Sequence, residues 1–235
     1  MYLPGSMMPG AVNPPAVLSV TQTDNDLYSS GGTTHTATAD FGDVPATGQR
    51  RYIVVVACGV DGNAGRQISS FSIGGSAATE GAEAVHESGA TAAVAIYYRE
   101  INTGTSGALS LVYDGALGVT RFITYRVIAD QNGLSVRTTG TDTDETVLTT
   151  SISSVFYGDV LIGGAQALNG GPYAALSLLT QDVEDETGGG GNNRWAITGS
   201  LAARAHLVST SEAYDLTGDP GTRSAAATVV FKPGT

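Results

Sequence analysis

The stretch that decides the fold is Arg50-Arg51-Tyr52-Ile53-Val54-Val55-Val56-Ala57-Cys58-Gly59. Alternate side chains of an extended chain point to opposite faces, and here both faces are apolar. One face carries Tyr52, Val54, Val56 and Cys58, and the other carries Ile53, Val55 and Ala57. The β-branched run favours a strand over a buried helix of the same length. The stretch therefore predicts a central strand that is covered on both faces.

The composition around this strand is typical of an all-β protein. The 235 residues include 32 glycines, which lie between short apolar runs, and only 14% of the residues are charged. Many short strands separated by glycine-rich turns favour an antiparallel β-sandwich. We expect a jelly-roll-like sandwich of about twelve strands, with one domain over residues 21–235 and an extended arm over residues 1–20.

Charge and hydropathy exclude several classes of partner. The formal net charge is -11, and Lys232 is the only lysine, so phosphate backbones are repelled and nucleic acid is not an expected partner. No apolar run reaches the 18 residues of a membrane-spanning helix. The first residues lack lysine, arginine and a continuous apolar h-region, so we expect no secretory signal. A membrane is not an expected partner.

The residues that most often carry chemistry form no catalytic pattern. The three histidines, His35, His86 and His206, are not at metal-ligand spacing from one another or from Cys58. No serine lies in a G-x-S-x-G elbow, and the lone lysine excludes a phosphate-binding loop. Cys58 is expected to be a buried, unreactive thiol. The sequence predicts a protein that is not an enzyme and has no cofactor.

The first 16 residues, MYLPGSMMPGAVNPPA, predict an anchoring arm. Their four prolines withhold backbone donors from a sheet, and Tyr2, Leu3, Met7 and Met8 offer adaptable apolar contacts for assembly. The alternative is a tail without fixed structure.

Two acidic clusters are candidates for cation binding. They are Asp142-Thr143-Asp144-Glu145 and Asp182-Val183-Glu184-Asp185-Glu186, and neither has the spacing of an EF-hand loop. We interpret both as loops, either solvated or sharing a Ca²⁺ ion, with Asp142, Asp144 and Glu145 as the candidate ligands.

A glycine-rich segment over residues 184–193 precedes the only tryptophan. Trp195, with Arg194, Asn192 and Asn193, could stack on a sugar and hydrogen-bond its hydroxyls. The alternative is a half-buried tryptophan at the start of a strand.

Three segments together carry a family resemblance. They are Arg51-Tyr52-Ile53-Val54-Val55-Val56, then Ile68-Ser69-Ser70-Phe71-Ser72-Ile73-Gly74-Gly75 followed by Ala77-Ala78-Thr79, then Ala95-Ile96-Tyr97-Tyr98 leading into Thr103-Gly104-Thr105-Ser106-Gly107. Over residues 50–130 the chain resembles β-sandwich domains of structural proteins from tailed bacteriophages and gene transfer agents. The resemblance implies a virion protein such as a head spike, decoration protein or tail fibre, and it supplies no catalytic residues.

Three hypotheses follow. The first is a non-enzymatic virion accessory protein that assembles in the bacterial cytoplasm, oligomerises, binds other virion proteins through its arm and contacts host-surface glycans. The second is a purely structural cement or tail component that stabilises neighbouring subunits. The third is a carbohydrate-active enzyme, which needs two carboxylates across a cleft.

Overall fold

The fold is all-β and antiparallel, as the sequence predicts. The computed structural model describes residues 16–62, 65–86, 91–143, 147–168, 173–186, 194–203, 210–216 and 223–235. Every strand pair in these ranges is antiparallel. The strands are β1 (Ser19–Ser30), β2 (Thr34–Asp40), β3 (Gln49–Asp61), β4 (Ile68–Ile73), β5 (Ser76–Ala77), β6 (Thr79–His86), β7 (Thr91–Glu100), β8 (Ser106–Tyr113), β9 (Val119–Asp130), β10 (Leu134–Thr143), β11 (Val147–Ile152), β12 (Val160–Leu168), β13 (Tyr173–Leu176), β14 (Thr180–Glu186), β15 (Arg194–Ala202), β16 (Thr210–Leu216) and β17 (Arg223–Pro233).

The described residues form seventeen strands, so the expectation of about twelve was too low. Several of the seventeen strands are mainly polar. β10, for example, reads LSVRTTGTDT and has no clean apolar alternation, yet it pairs with β17 along its whole length. Pairing with an apolar neighbour, rather than its own hydrophobicity, holds this strand in the sheet.

The strands form four sheets. The N-terminal half, residues 19–130, builds an inner sheet in the order β1-β9-β3-β7-β6 and an outer sheet in the order β2-β8-β4-β5. The C-terminal half, residues 134–233, builds an inner sheet in the order β10-β17-β12-β15-β14 and an outer sheet in the order β11-β16-β13. Within residues 21–235, which the sequence predicts to be one sandwich domain, the described strands thus form four sheets.

Separate hydrophobic layers join the four sheets into one stack. The largest core lies between the two inner sheets and includes Val54 of β3, Ile162 of β12 and Phe231 of β17. A second core packs Ile53 and Val55 of β3 against the outer sheet of the same half. Two smaller cores lie between the inner and outer sheets of the C-terminal half.

The central position predicted for β3 is confirmed. β3 lies in the middle of its sheet, between β9 and β7, and Arg51 to Asp61 are all buried. Its two apolar faces are explained by the stack, because its sheet packs against another sheet on each side.

The stack has two ends, which we call the base and the tip. At the base, the described chain starts at Ala16, and the Leu18 amide donates to the Gly158 carbonyl at 2.9 Å. The C-terminus is there too, since the Gly234 amide donates to the Gly133 carbonyl at 2.8 Å. At the tip, Val60, Val119 and Leu168 pack together across the two halves.

Candidate functional site

The base carries an open cleft of about 580 Å³, built on loops that one buried arginine holds together. Arg51 is fully buried at the start of β3. Its guanidinium donates to the carbonyls of Gly42 (2.7 Å) and Asp43 (3.0 Å), which follow β2. It also donates to the carbonyls of Ile101, Thr103 and Gly104, which follow β7, at 2.6 to 3.0 Å. A single side chain therefore fixes two loops relative to each other.

Glycines shape the walls of this cleft. Gly74 and Gly75 form the turn between β4 and β5 with φ of 60° and 76°, the left-handed conformation that such two-residue hairpins need. At Gly107 a Cβ atom would lie 2.5 Å from the Phe41 ring, so the ring packs directly on bare backbone. The remaining lining is mostly polar and includes Arg99, Glu100 and Asn102.

The carboxylate of Glu100 is held in place on the cleft wall. It accepts hydrogen bonds from Asn102 Nδ2 (2.6 Å), Arg50 NH1 (3.1 Å) and the Tyr52 hydroxyl (3.2 Å). Partial burial opposes ionisation, but these donors outweigh it and lower the pKa of Glu100 below its ordinary value. Glu100 is therefore an anion at neutral pH.

The lining of the cleft combines one fixed carboxylate with other polar groups. Among the described lining residues Glu100 is the one carboxylate, whereas glycoside hydrolysis needs two. The Arg99 guanidinium already donates to the backbone carbonyls of Ile73 and Gly74. The cleft thus offers fixed hydrogen-bonding groups beside an aromatic floor, without a paired acid and base.

The candidate glycan-binding residues lie at the tip. Arg194 and Trp195 are the first two residues of β15, and Arg194 lies opposite Leu168 at the tip end of β12. Trp195 is half-buried and packs against the core between the inner and outer sheets of the C-terminal half, the arrangement that the strand-start interpretation predicts. Asn192 and Asn193 lie outside the described residues.

Asp142 also lies at the tip, near the end of β10. Its carboxylate accepts hydrogen bonds from the backbone amides of Thr143 (2.8 Å) and Thr149 (2.7 Å), and so connects β10 to β11. Asp144 and Glu145 lie outside the described residues. No group of three or more potential metal ligands occurs within the part of the chain that the structure describes.

The interpretation of the second acidic cluster as a loop is wrong, because residues 182–186 belong to β14. This strand pairs with β15, with an irregularity between Gln181 and Val183. Strand geometry directs neighbouring side chains apart, so the carboxylates do not converge on one point. Asp182 lies beside the hydroxyls of Tyr125 and Ser200, while Asp185 Oδ2 lies 3.4 Å from Arg121 NH1.

The assembly residues of the arm, Tyr2, Leu3, Met7 and Met8, lie outside the described residues. The described chain leaves the base at Ala16, two residues before Leu18 bonds to Gly158. Around this point Val17, Phe156 and Tyr157 are exposed by 36%, 39% and 49%. We call these three side chains the base patch. The sequence did not predict this patch, because two adjacent aromatic residues in a turn do not repeat with the period of a strand or a helix.

Cys58 and His35 are buried away from these sites. Cys58 is a free, fully buried cysteine, as expected, and burial raises the pKa of its thiol to about 12. His35 is buried, and its Nδ1 lies 3.0 Å from the Ser29 carbonyl oxygen. In the described ranges no helix is long and apolar enough to cross a membrane.

Comparisons with protein-family models, with curated proteins and with solved structures found no match for this chain.

Proposed function

We propose that this chain is a non-enzymatic accessory structural protein of a bacteriophage-type virion, exposed on the particle surface as a head spike, decoration protein or tail fibre. Its N-terminal arm attaches the base to other virion proteins. Its tip faces outward and contacts host-surface glycans through Trp195 and the residues around it. This function agrees with the resemblance carried by residues 50–130 and with the low content of charged residues.

The proposal rests on the separation of two described positions: residue 16, which follows the arm, lies at one end of the stack, and the described candidate contact residues lie at the other end. Residue 16, where the arm joins the fold, is at the base. Arg194 and Asp142 are at the tip, at the far ends of β15 and β10. A protein that is fixed at one end and recognises a ligand at the other needs this separation. The four-sheet stack supplies a rigid spacer between them.

The base patch supports attachment at this end. Clusters of exposed aromatic side chains are typical of surfaces that another protein covers. Arg137 lies over the Phe156 ring, 4.3 Å from its centroid, and so holds the aromatic turn in place. The patch equally suits the second hypothesis, a cement or tail component that only stabilises its neighbours.

Deleting residues 2–15 tests the attachment. Particles assembled with the shortened protein should lose it, while the purified protein keeps its melting temperature, because the described fold starts after this segment. Incorporation at the wild-type level would contradict the proposal.

Replacing Trp195 distinguishes receptor binding from cement. With W195A, particles should retain the protein but lose adsorption to host cells, and the purified variant should lose its signals on a glycan array. The matched control is W195F, which keeps an aromatic ring on the same core. Normal adsorption of W195A particles, combined with rupture on heating of particles that lack the protein, would instead indicate the cement function.

A further inference from the structure

The two halves of the chain have the same topology. Reading each in chain order, β1, β2, β3 and β4 correspond to β10, β11, β12 and β13, while β6, β7, β8 and β9 correspond to β14, β15, β16 and β17. With this correspondence both inner sheets have one strand order, and both outer sheets share the order of their first three strands. β5, which has two residues, is the only strand of the N-terminal half without a counterpart among the described residues.

The irregularities of strand pairing recur at corresponding positions. The pairing of β6 with β7 shifts between Glu80 and Ala82, and the pairing of β14 with β15 shifts between Gln181 and Val183. A β-bulge is a specific feature of a strand pair, so its repetition at one place is informative. Gly81 and Asp182 are the extra residues and therefore correspond.

A second irregularity repeats in the outer sheets. The pairing of β4 with β8 shifts between Ile68 and Ser70, and that of β13 with β16 shifts between Tyr173 and Ala175. The first strands of the halves also share a short sequence. Leu18-Ser19-Val20 and Leu134-Ser135-Val136 stand at the same register, since Val20 lies opposite Val127 and Val136 lies opposite Phe231.

The central strands can be aligned residue by residue. Just before the first residue that pairs with β7 or β15, the Arg51 carbonyl accepts from the Ile101 amide at 2.9 Å and the Asp159 carbonyl accepts from the Ala203 amide at 2.8 Å. Arg51 thus corresponds to Asp159 and, five residues further on, Val56 corresponds to Gly164.

These two corresponding residues contact each other between the inner sheets. A Cβ atom on Gly164 would lie 2.8 Å from Val56 Cγ1. Contact between equivalent positions is the mark of a two-fold axis in an isologous interface. Away from the axis, contacts occur as related pairs: Gly81 faces Val229, and Asp182 faces Tyr125.

We propose that the chain is a fused dimer, in which two copies of one sandwich associate through their inner sheets about a pseudo-two-fold axis at Val56 and Gly164. The inner-sheet face is a self-association surface, and its partner is a second copy of the same sandwich, supplied here by the same chain. This inference does not depend on the proposed function. Two identical copies would place two identical side chains on the axis. In the fused chain the two positions differ, so that Val56 has a side chain and Gly164 has none.

Exchange of the axial residues tests the proposal. G164V should overfill the axis and V56G should leave a cavity, each lowering Tm on the order of 10 °C. The exchanged variant V56G/G164V should recover most of that loss, because equivalent positions have equivalent surroundings. V56A/G164A, with one small side chain on each strand, is a milder version in case the single variants do not fold. If the loss of Tm in each double variant equals the sum of the losses in its two single variants, the proposal is overturned.

A circular permutation tests the axis independently. Residues 131–133 connect Asp130, at the end of β9, to Leu134, at the start of β10. Gly234 corresponds to Asp130 and Leu18 corresponds to Leu134, so the equivalent junction would connect Gly234 to Leu18. Joining Thr235 directly to Ala16 leaves three residues there as well. A chain that runs through residues 1–15, 132–235 and 16–131 should be monomeric and melt within about 5 °C of the wild type. Deleting Thr235 and Ala16 from this junction should destabilise it. A permuted chain that aggregates, or that tolerates the shortened junction equally well, would overturn the proposal.

Discussion

The two halves bury side chains of opposite charge at corresponding positions at the base. At corresponding positions, one residue before the central strand begins to pair with β7 or β15, the N-terminal half buries Arg51 and the C-terminal half buries Asp159. Arg51 donates to backbone carbonyls of two loops, whereas Asp159 accepts from Arg137 Nε (2.7 Å), Arg137 NH2 (3.0 Å) and the Phe156 amide (2.8 Å). The position therefore connects neighbouring segments at the base in both halves. Arg51 does so through backbone carbonyls of two loops, whereas Asp159 joins Arg137 of β10 to the backbone amide of Phe156.

The largest effect is expected from removing the arginine. R51M leaves several buried carbonyls without donors, and we expect it to lower the free energy of unfolding by about 4 kcal/mol. Denaturant titration measures the change. The matched control is R50M, whose ion pair with Glu100 is partly exposed on both sides and should contribute much less to stability than Arg51 does. Equal losses in the two variants would show that Arg51 does not organise the base.

Removing the aspartate should have a somewhat smaller effect. D159N keeps the shape of the side chain but removes the charge that faces Arg137, and we expect a loss of about 3 kcal/mol. Because Arg137 is partly exposed, water solvates part of the guanidinium charge that D159N leaves without its partner. In a double-mutant cycle, R137M/D159N should cost clearly less than the sum of R137M and D159N. Additive losses would mean that the two side chains act separately.

Much of the fold followed from the sequence, but the duplication did not. The apolar faces of β3 predicted a central strand, because alternation reports burial directly. The corresponding strand β12 reads VLIGGAQAL. Because it has glycines and a glutamine where β3 has a β-branched run, its sequence does not resemble that of β3. Bulge positions and register depend on pairing partners that are distant in sequence. At the candidate site, the tip location of Trp195 and Arg194 could not be predicted, nor could the role of Arg51, although an arginine inside a buried strand was the signal for it.

A smaller expected effect is a pH dependence of stability, which arises at a position where the two halves differ. Burial raises the pKa of Asp182 above its ordinary value near 3.8, and the nearby hydroxyls of Ser200 and Tyr125 only partly oppose this. Its counterpart Gly81 has no charge. A raised pKa in the folded state means that the stabilisation is present below the ordinary pKa and is lost as the pH rises through the folded value.

We therefore expect D182N to reduce the decline in stability as the pH rises above about 4, by less than about 1 kcal/mol after solvent screening. Chemical denaturation at several pH values measures it. Glu212 has a pKa raised by burial too, so the decline should become smaller rather than vanish. An unchanged pH profile in D182N would contradict the assignment.

The most direct measurement of the central claim, a base that is attached and a tip that is exposed, is cysteine labelling on intact particles. The wild type is the control, because its only cysteine, Cys58, is buried and should not react with a thiol-specific biotin reagent. A116C introduces a thiol at an exposed position beside β9 at the tip, and Y157C introduces one in the base patch. Both should react in the purified protein. On particles, A116C should be labelled and Y157C protected; labelling of Y157C with protection of A116C would contradict the account.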